Sequence, residues 1–579
     1  MAGPPDSPVE VAMKKRLVCR LGAIAAATLF GCPANEGLRA AAPGAMVMPG
    51  CTVAALSALN IPNVTIRSAT DVVAAGLDPE SCDVIGSVAT DGEGAGPGAA
   101  TFRVKLPVQW NNKLLASGPG GVGGSLDPSM NLVDFASALR KGYAFVTTDS
   151  GHQSAPTDAS WSLISPGVPN TPALIDFFYR AQHQVAVATK ELVKSFYGAF
   201  SIEHSYFDGC SNGGRQALVE ATRYPEDYDG IIAGAPLMDR LAANTAAYKN
   251  AKAFLTAFIP PAALSVIDAA VRDNCDGADG AIDGLIQNPA RCSFDPDRLV
   301  PQTLTQAQAD ALAIFIREVH DDRGRLLQQG SPVSDLNAAG GFVPWAESIR
   351  PVDLVSAQPW GAAAPISWRL ADSSIRYFVM RDPNFNANLN WPETDGVVAT
   401  DAARLYDKRT RLGDADRAEQ LVPYLRRGNK VLLYHGYSDP GLSPFGTVSF
   451  YQDLAELFGG YRHVEEHARL FMAPGQLHCG GGPGPNSFDT LTALENWVEH
   501  GVAPEGIVAT KYVNDNPAGG VVRTMPLCKF PETARYDGVG DPYVAASWRC
   551  SPGDRSLLHV GPNGIQAGLN RRAREPHRR

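Results

Sequence analysis

The sequence lacks any long run of basic residues. Its 50 lysines and arginines are outnumbered by 60 aspartates and glutamates, which gives a net charge of −10. Proteins that bind nucleic acids or anionic membrane surfaces need a clustered positive face. The composition therefore excludes both classes of partner.

Long hydrophobic runs are also absent, apart from one short segment near the N-terminus, so no transmembrane helix is predicted. No heptad pattern or internal repeat is present, and the glycine-rich stretches "GEGAGPGAA" and "GPGGVGGS" are typical of loops. With 579 residues, 45% of them apolar and 19% charged, the chain has the composition of a globular protein with a large core and two or more structural units.

The N-terminal segment has the layout of an export signal. A basic stretch that begins at Met13, "MKKR", is followed by an apolar run over residues 21–30. This run is short for a membrane span and suits the apolar region of a signal peptide. We expect residues 1–42 to direct a secreted or periplasmic protein. Two routes stay open: cleavage near residues 40–42, or a lipid anchor at Cys32, which ends the lipobox-like "LFGC".

Export permits disulfide bonds. Ten cysteines are present, and Cys19 and Cys32 lie in the export segment, which leaves eight. Eight cysteines allow about 105 pairings. Three pairs of cysteines are close in sequence and flank loop-like stretches. This order favours three local bridges: Cys51–Cys82, Cys275–Cys292 and Cys528–Cys550. Cys210 and Cys479 are then left for each other.

A candidate nucleophile lies in "YFDGCSNGGR", which places Ser211 between Gly209 and Gly213. The motif alone is weak evidence, because a chain with 57 glycines produces such matches by chance. Its context is more informative: "HSYFDG" before it is strand-like, and "GRQALVEATRYP" after it has helical spacing and ends at Pro225. A strand, a tight turn and a helix in this order predict a nucleophile elbow.

Candidates for the acid and the base follow two later strands. The apolar run in "KVLLYHGYSDPG" ends in a loop with Asp439, and the run in "ARLFMAPGQLHCGGG" ends in a loop with His478. Taken singly, Asp439 could cap the turn before a proline and His478 could be an ordinary loop histidine. The carboxyl ends of parallel strands meet at one edge of a sheet, so the two side chains can reach Ser211 there. The order Ser, Asp, His is that of the α/β-hydrolases.

This constellation predicts acyl transfer. His478 would take the proton of Ser211 and return one to the leaving group, while Asp439 would hold the imidazole in the right tautomer. An oxyanion hole completes such a site, and the amide of Asn212, the residue after the nucleophile, is the expected first donor. We expect the second from Gly118 in "LLASGPGGVGGS", with Gly120 and Gly121 as neighbouring alternatives.

The motifs "GCSNGGR", "YHGYSDP" and "PGQLHCGGGPG" resemble those of the tannase and feruloyl esterase family, which also contains mono(2-hydroxyethyl) terephthalate hydrolase. The resemblance runs from about Cys51 to Cys550. It implies a secreted serine esterase with an α/β-hydrolase fold and a large inserted lid. It also implies that Cys210, beside the nucleophile, is bonded to Cys479, beside the catalytic histidine. Such a bond would keep Ser211 and His478 within reach of each other.

The resemblance further implies the domain organisation and a calcium site. It predicts a catalytic domain of residues 43–236 and 417–560, a lid of residues 237–416 and a tail of residues 561–579 that we expect to be disordered. Within the lid, "NCDGADGAIDGLI" offers an all-oxygen set for a hard cation. The set is formed by the carboxylates of Asp276, Asp279 and Asp283 and the backbone carbonyls of Ala281 and Leu285. The residues alone fit an acidic, glycine-rich turn equally well, and the spacing is not that of an EF-hand. The resemblance favours structural Ca²⁺.

The expected substrates are esters of aromatic acids, such as feruloyl, other hydroxycinnamoyl or galloyl esters. A terephthalate-monoester hydrolase is the alternative within the family. A peptidase or lactonase with the same triad, or a non-catalytic binding protein on this fold, represents another class. Aromatic residues of the predicted lid are candidates for the acyl pocket or for the lid's own core: Trp360, Trp368, Tyr377, Phe378 and Trp391. Arg369 and Arg376 are candidates to bind an acidic group of the substrate.

Overall fold

The computed structural model describes residues 50–128, 135–320, 326–390 and 410–553. The predicted export segment with Cys32, the aromatic residue Trp391 and the predicted tail of residues 561–579 lie outside these ranges. Within them, no helix is long and apolar enough to cross a membrane.

A nine-stranded sheet forms the centre of the fold. Its strands in chain order are β1 (Val64–Val72), β2 (Ser81–Gly92), β3 (Ala95–Pro107), β4 (Lys113–Ser117), β5 (Ala144–Thr148), β6 (His204–Cys210), β7 (Gly230–Gly234), β8 (Lys430–Gly436) and β9 (Ala468–Ala473). Across the sheet the order is β1-β2-β3-β5-β4-β6-β7-β8-β9. The pairs from β1 to β5 are antiparallel, and those from β5 to β9 are parallel.

The parallel half of the sheet is covered on both faces. Every residue of β5, β7 and β9 is buried. This burial explains why the sequence reads there as continuous apolar runs rather than as an alternation of polar and apolar residues. The predicted α/β-hydrolase class is therefore confirmed in its central feature, a mostly parallel sheet between helices.

The α-helices of the described ranges connect and cover these strands. Their bounds are Val53–Ser57, Phe135–Arg140, Thr171–Ile175, Ala181–Tyr197, Asn212–Arg223, Arg240–Phe254, Pro261–Cys275, Gln306–Ile316, Ile366–Ser374, Ala387–Asn390, Val422–Arg426, Pro444–Leu457, Tyr461–Val464 and Thr490–His500. Short π-helical segments span Asp176–Arg180, Val343–Glu347 and Ile375–Met380.

Between β7 and β8 the chain leaves the sheet. This stretch has an apolar cluster of its own, in which the rings of Phe254, Phe315 and Phe342 pack edge to face. Its first long helix, Arg240–Phe254, begins where the side chain of Asp239 accepts a hydrogen bond from the amide of Ala242. The helix follows β7 directly, at the start of the stretch that the sequence predicts as a lid. The lid boundaries at residues 237 and 416 stay a prediction.

Four small two-stranded sheets complete the described ranges. They pair Leu163–Ser165 with Val168–Pro169, Val319–His320 with Leu326–Gln328, Gly506–Tyr512 with Val521–Cys528, and Thr533–Tyr536 with Trp548–Ser551.

Among the described residues there are four disulfide bonds, with the pairing that the sequence favours. They join Cys51 to Cys82, Cys210 to Cys479, Cys275 to Cys292 and Cys528 to Cys550. Three of them close short loops, whereas the bond between Cys210 and Cys479 spans 269 residues. A protein with four disulfides fits an oxidising compartment.

Candidate active site

Ser211 stands on a sharp turn between β6 and the helix Asn212–Arg223. Its backbone has φ 61° and ψ −122°, a conformation that costs a non-glycine residue energy. The turn is held from both sides: the amide of Ser211 donates to the carbonyl of Gly234 at 3.0 Å, and the carbonyl of Ser211 accepts from the amide of Leu237 at 3.0 Å. The predicted elbow is thus a strained and firmly held turn.

The flanking glycines allow the close passage of backbone that this turn needs. A Cβ atom at Gly209 would overlap the carbonyl group of Gly213, and one at Gly213 would lie 2.7 Å from the carbonyl oxygen of Gly118. Both positions therefore exclude side chains on packing grounds alone. The spacing of glycines around Ser211 reflects this geometry.

Asp439 is fully buried in the loop after β8 and accepts hydrogen bonds on both carboxylate oxygens. Its Oδ2 atom lies 2.6 Å from Nδ1 of His478 and 3.0 Å from Nε2 of His435. Its Oδ1 atom accepts from the amides of Gly441 at 2.7 Å and Leu442 at 3.0 Å. Burial alone would raise the pKa of Asp439, but the two histidines outweigh that effect and lower the pKa below its usual range. The carboxylate is held ionised.

His478 lies in the loop after β9, where its ring packs edge to face against the indole of Trp345 with centroids 4.6 Å apart. His478 and Ser211 line the same cavity. The residues beside them, Cys479 and Cys210, are joined by the long-range disulfide, with Cα atoms 5.9 Å apart. The structure therefore brings together the serine, the carboxylate and the imidazole that the sequence singles out.

Neither of the two predicted oxyanion donors, Asn212 and Gly118, is among the residues that line the cavity. The amide of Asn212 belongs to the first turn of its helix, where an N–H group has no partner within the helix. Gly118 packs against Gly213 and the side chain of Gln216 and is not among the residues that line the cavity. Gly121, one of the two alternatives, does line it. The glycine-rich loop after β4 is thus in the expected place, but the residue of this loop that lines the cavity is Gly121 rather than Gly118.

The cavity in front of Ser211 is closed by the stretch between β7 and β8. The helix Arg240–Phe254 contributes Arg240, Asn244 and Ala247, and Trp345 covers the side next to His478. The ring of Trp345 also fills the space above Gly441, where a side chain would collide with it. The lining is mainly apolar, with a few polar groups.

Several side chains suggested for the pocket lie elsewhere. Trp360 and Trp368 contact each other with ring centroids 5.2 Å apart and are almost completely buried, so they form part of the core. Phe378 is packed among the rings of Phe177 and Phe178. Tyr377 is half-buried and does not line the cavity. Of the two roles that the sequence left open, Trp360, Trp368 and Phe378 therefore have the core role, and Tyr377 is not a cavity wall.

The suggested arginines are also displaced from the cavity. Arg369 is exposed, and Arg376 forms an ion pair with Asp372 at 2.8 Å. The arginine that lines the cavity is Arg240, which donates to Oδ1 of Asn212 at 2.7 Å. Neither Arg240 nor Trp345 carries a local sequence signal, since each is recognisable only once the chain has folded over Ser211.

The acidic loop of residues 276–285 is compact and its three carboxylates are buried. Asp276 accepts from the amide of Gly284 at 2.9 Å, and Asp283 pairs with Arg523 at 3.2 Å. The Oδ2 atom of Asp279 is buried without a hydrogen-bond partner. Burial, with the charges of Asp283 and Asp276, raises the pKa of Asp279 to about 7. The loop therefore has a buried carboxyl oxygen without a hydrogen-bond partner, the kind of group that a hard cation can bind.

A second cluster of ligand-type side chains lies at the far end of the nucleophile helix. The ligand atoms of His183, Glu220 and Asp227 are within 4.8 Å of one another. Lys190 donates from its ammonium group to the carbonyl of Asp227 and so already places a cation beside the carboxylates. Burial, together with the neighbouring Asp227, raises the pKa of Glu220 well above its usual range, so a proton completes the charge balance. We assign this cluster a structural role.

Comparison with known proteins agrees with this geometry. The family model described as tannase and feruloyl esterase matches residues 82–551. The fold and the site define an α/β-hydrolase that acts as a carboxylic ester hydrolase. The chain belongs to the tannase and feruloyl esterase family.

Two relatives and one solved structure illustrate the similarity. An esterase of Xanthomonas campestris pv. campestris is 32% identical, with 90% of this chain and 96% of the relative covered. The mono(2-hydroxyethyl) terephthalate hydrolase of Piscinibacter sakaiensis is 29% identical, with 82% and 85% covered. The crystal structure of feruloyl esterase B from Aspergillus oryzae superposes with a TM-score of 0.70 at 24% identity, covering 86% of this chain and 98% of that chain. The last comparison supports the fold alone.

Proposed function

We propose that the protein is an exported serine esterase that cleaves carboxylic esters of aromatic acids through Ser211, Asp439 and His478. The observation that carries the proposal is the 2.6 Å contact between Nδ1 of His478 and the buried, ionised carboxylate of Asp439, at a cavity shared with the strained Ser211. A hydrogen-bonded acid and base beside a turn serine that lines a cavity are the parts that acyl transfer needs.

The proposed reaction runs in two halves. In the first, Nε2 of His478 takes the proton of the Ser211 hydroxyl as Oγ attacks the ester carbonyl, and the imidazolium then protonates the departing alcohol. In the second, water attacks the acyl-serine with the same histidine as base, which releases the acid and restores Ser211. The Asn212 amide supports the oxyanion, with a second donor from the glycine loop, where the candidates are Gly118 and its alternatives Gly120 and Gly121, of which Gly121 lines the cavity. Loss of one such donor typically costs about 3 kcal/mol of transition-state stabilisation.

The aromatic substrate class is supported by the cavity. Trp345 presents a large half-buried ring beside His478, and Leu237, Ala247 and Leu370 supply further apolar surface. An aromatic acyl group that stacks on an indole gains about 0.5–1.5 kcal/mol beyond the burial of its area. A relative named as a probable feruloyl esterase, which is 31% identical over 77% of this chain, points in the same direction.

The first test is a substrate panel with purified enzyme. Methyl ferulate, methyl caffeate and methyl gallate represent the proposed class, and mono(2-hydroxyethyl) terephthalate represents the alternative within the family. That alternative is favoured by Arg240, a cation at the cavity wall that suits an acidic acyl group, and by the named relative. A peptide and a lactone complete the panel, and preferential hydrolysis of either would contradict the proposed substrate class.

We expect Trp345→Ala to raise KM for methyl ferulate about tenfold, because the variant removes the aromatic wall of the cavity. Trp345→Phe keeps a ring and is the matched control, with an expected KM close to that of the wild type. Steady-state kinetics on methyl butyrate, which has no ring to stack, should change little. An equal loss on both esters would show that Trp345 acts on the catalytic groups rather than on the acyl group.

Our proposal that the protein is exported rests on the four disulfides and on the signal peptide predicted in residues 1–42. Lipidation at Cys32 and cleavage near residues 40–42 leave different N-termini on the mature protein. Intact mass of the protein from cells distinguishes the two forms, and a mature protein that retains residues 1–42 would argue against export.

We also propose that the acidic lid loop binds structural Ca²⁺. Asp276, Asp279 and Asp283, with the carbonyls of Ala281 and Leu285, would hold the ion. Its charge would neutralise carboxylates that are buried close together, including the unpartnered oxygen of Asp279. The ion has no part in the chemical steps.

Removal of calcium should lower the melting temperature by several degrees, because an ion that binds only the folded state stabilises it by about 2.7 kcal/mol at a hundred times its Kd. Thermal unfolding with a chelator and with added calcium measures the effect. Asp279→Asn should abolish the calcium dependence, whereas Asp273→Asn, an exposed neighbour, should keep it. Identical melting temperatures of the wild type in both conditions would remove the assignment.

A further inference from the structure

The carboxylate of Asp439 is shared by two histidines. Both His478 and His435 contact the same oxygen, Oδ2, at 2.6 Å and 3.0 Å. A triad mechanism uses only the first of these contacts. His435 is 1% exposed, belongs to β8 and approaches Asp439 from within the sheet. Its position raises the question of what a second buried imidazole does behind the acid.

The partners of His435 define its tautomer. An ionised carboxylate only accepts hydrogen bonds, so Nε2 of His435 must carry the proton that reaches Asp439. In the neutral ring Nδ1 is then an acceptor, and it lies 2.8 Å from Oγ1 of Thr447 on the helix Pro444–Leu457. In that form of the ring, the threonine hydroxyl donates to Nδ1. The result is a chain of hydrogen bonds that runs from Thr447 through His435 and Asp439 to His478.

This series of hydrogen bonds restricts a torsion of Asp439 that the aspartate side chain itself leaves loosely defined. The terminal torsion of an aspartate side chain is broad, so the side chain alone does not fix the plane of its carboxylate. The amides of Gly441 and Leu442 anchor Oδ1. Without His435, Oδ2 would be held only by the imidazole that it has to orient.

We propose that His435 is a positioning residue that holds Oδ2 of Asp439 in place for His478, and that Thr447 keeps His435 in the tautomer this task requires. The inference rests on the proposed triad. His435 touches neither the substrate nor the reacting atoms, and it acts through Asp439. Its loss should therefore reduce turnover while leaving substrate binding largely intact, since misplacement of a catalytic group by about 1 Å can cost on the order of a hundredfold in rate.

Two substitutions of His435 separate positioning from packing. Glutamine places an amide N–H near the position of Nε2 and can still donate to Asp439. Asparagine is shorter, reaches the position of Nδ1 and can satisfy Thr447 but not Asp439. We expect His435→Asn to lower kcat for methyl ferulate by about 10- to 100-fold with KM within about threefold of the wild type. His435→Gln should recover most of that loss.

The same comparison can be made at Thr447 without changing a histidine. Thr447→Val keeps the shape but removes the hydroxyl, so Nδ1 loses its donor and the tautomer is no longer held. Thr447→Ser retains a hydroxyl. We expect kcat to be several-fold lower for the valine variant than for the serine variant. This pair keeps the proposal testable if His435→Asn does not fold, which its melting temperature reveals.

Labelling with a fluorophosphonate separates this proposal from the proposed function. Wild-type protein that is not labelled at Ser211 would contradict the triad itself. If the wild type is labelled, slower labelling of His435→Asn with near-normal labelling of His435→Gln supports the positioning role. Equal losses in both variants would overturn it in favour of a packing role, and so would a wild-type kcat in His435→Asn.

Discussion

Ser211→Ala is expected to lower kcat for methyl ferulate by about four to six orders of magnitude. The variant removes the nucleophile, and the acid and base behind it then have no hydroxyl to activate. Little volume is lost, so the melting temperature should stay close to that of the wild type. Initial rates and thermal unfolding measure the two effects on the same preparation.

A matched serine on the same strand serves as the control. Ser205 lies at the opposite end of β6 from the elbow, and Ser205→Ala should retain activity and fluorophosphonate labelling. The label should be found on a peptide that contains Ser211 and should be absent from Ser211→Ala. Activity of Ser211→Ala within tenfold of the wild type would rule out the proposed triad.

Replacement of both Cys210 and Cys479 by alanine is expected to lower kcat by about a hundredfold and to leave KM less affected. The disulfide ties the neighbours of the nucleophile and of the base, so its loss lets the two drift apart. Cys479 and Ser211 both have positive φ, at 60° and 61°, and such backbone persists only where its surroundings enforce it. The bond therefore joins one strained residue, Cys479, to the direct neighbour of the other, Ser211.

The same variant should lose about 2–5 kcal/mol of stability, because the bond closes a loop of 269 residues in the unfolded chain. Activity measured well below the melting temperature separates the local defect from the global one. Removal of the bond between Cys51 and Cys82, which is attached to the antiparallel part of the sheet, is the control and should affect stability but hardly kcat. Free thiols at residues 210 and 479 in active wild-type enzyme would contradict this account.

The sequence by itself was enough for the family and the fold class, and it singled out three side chains that the structure places around one cavity. The elbow around Ser211 is encoded locally, because a strand, a glycine turn and a helix each leave a pattern in neighbouring residues. Asp439 and His478 were found because each follows a buried strand, and parallel strands end at one edge of the sheet. The local disulfides were predictable because their cysteines are near each other in sequence.

Only the tertiary structure identified the walls of the cavity and the support behind the acid. Trp345 lies more than a hundred residues from Ser211 in the sequence, and Arg240 lies 29 residues from it, yet both line its cavity. No local sequence pattern distinguishes Trp345 from the core residues Trp360 and Trp368. His435 lies in the motif "YHGYSDP", yet its role depends on a contact with Thr447 from the following helix. Side-chain direction and burial decide such roles, and both arise from packing between elements that local sequence patterns do not record.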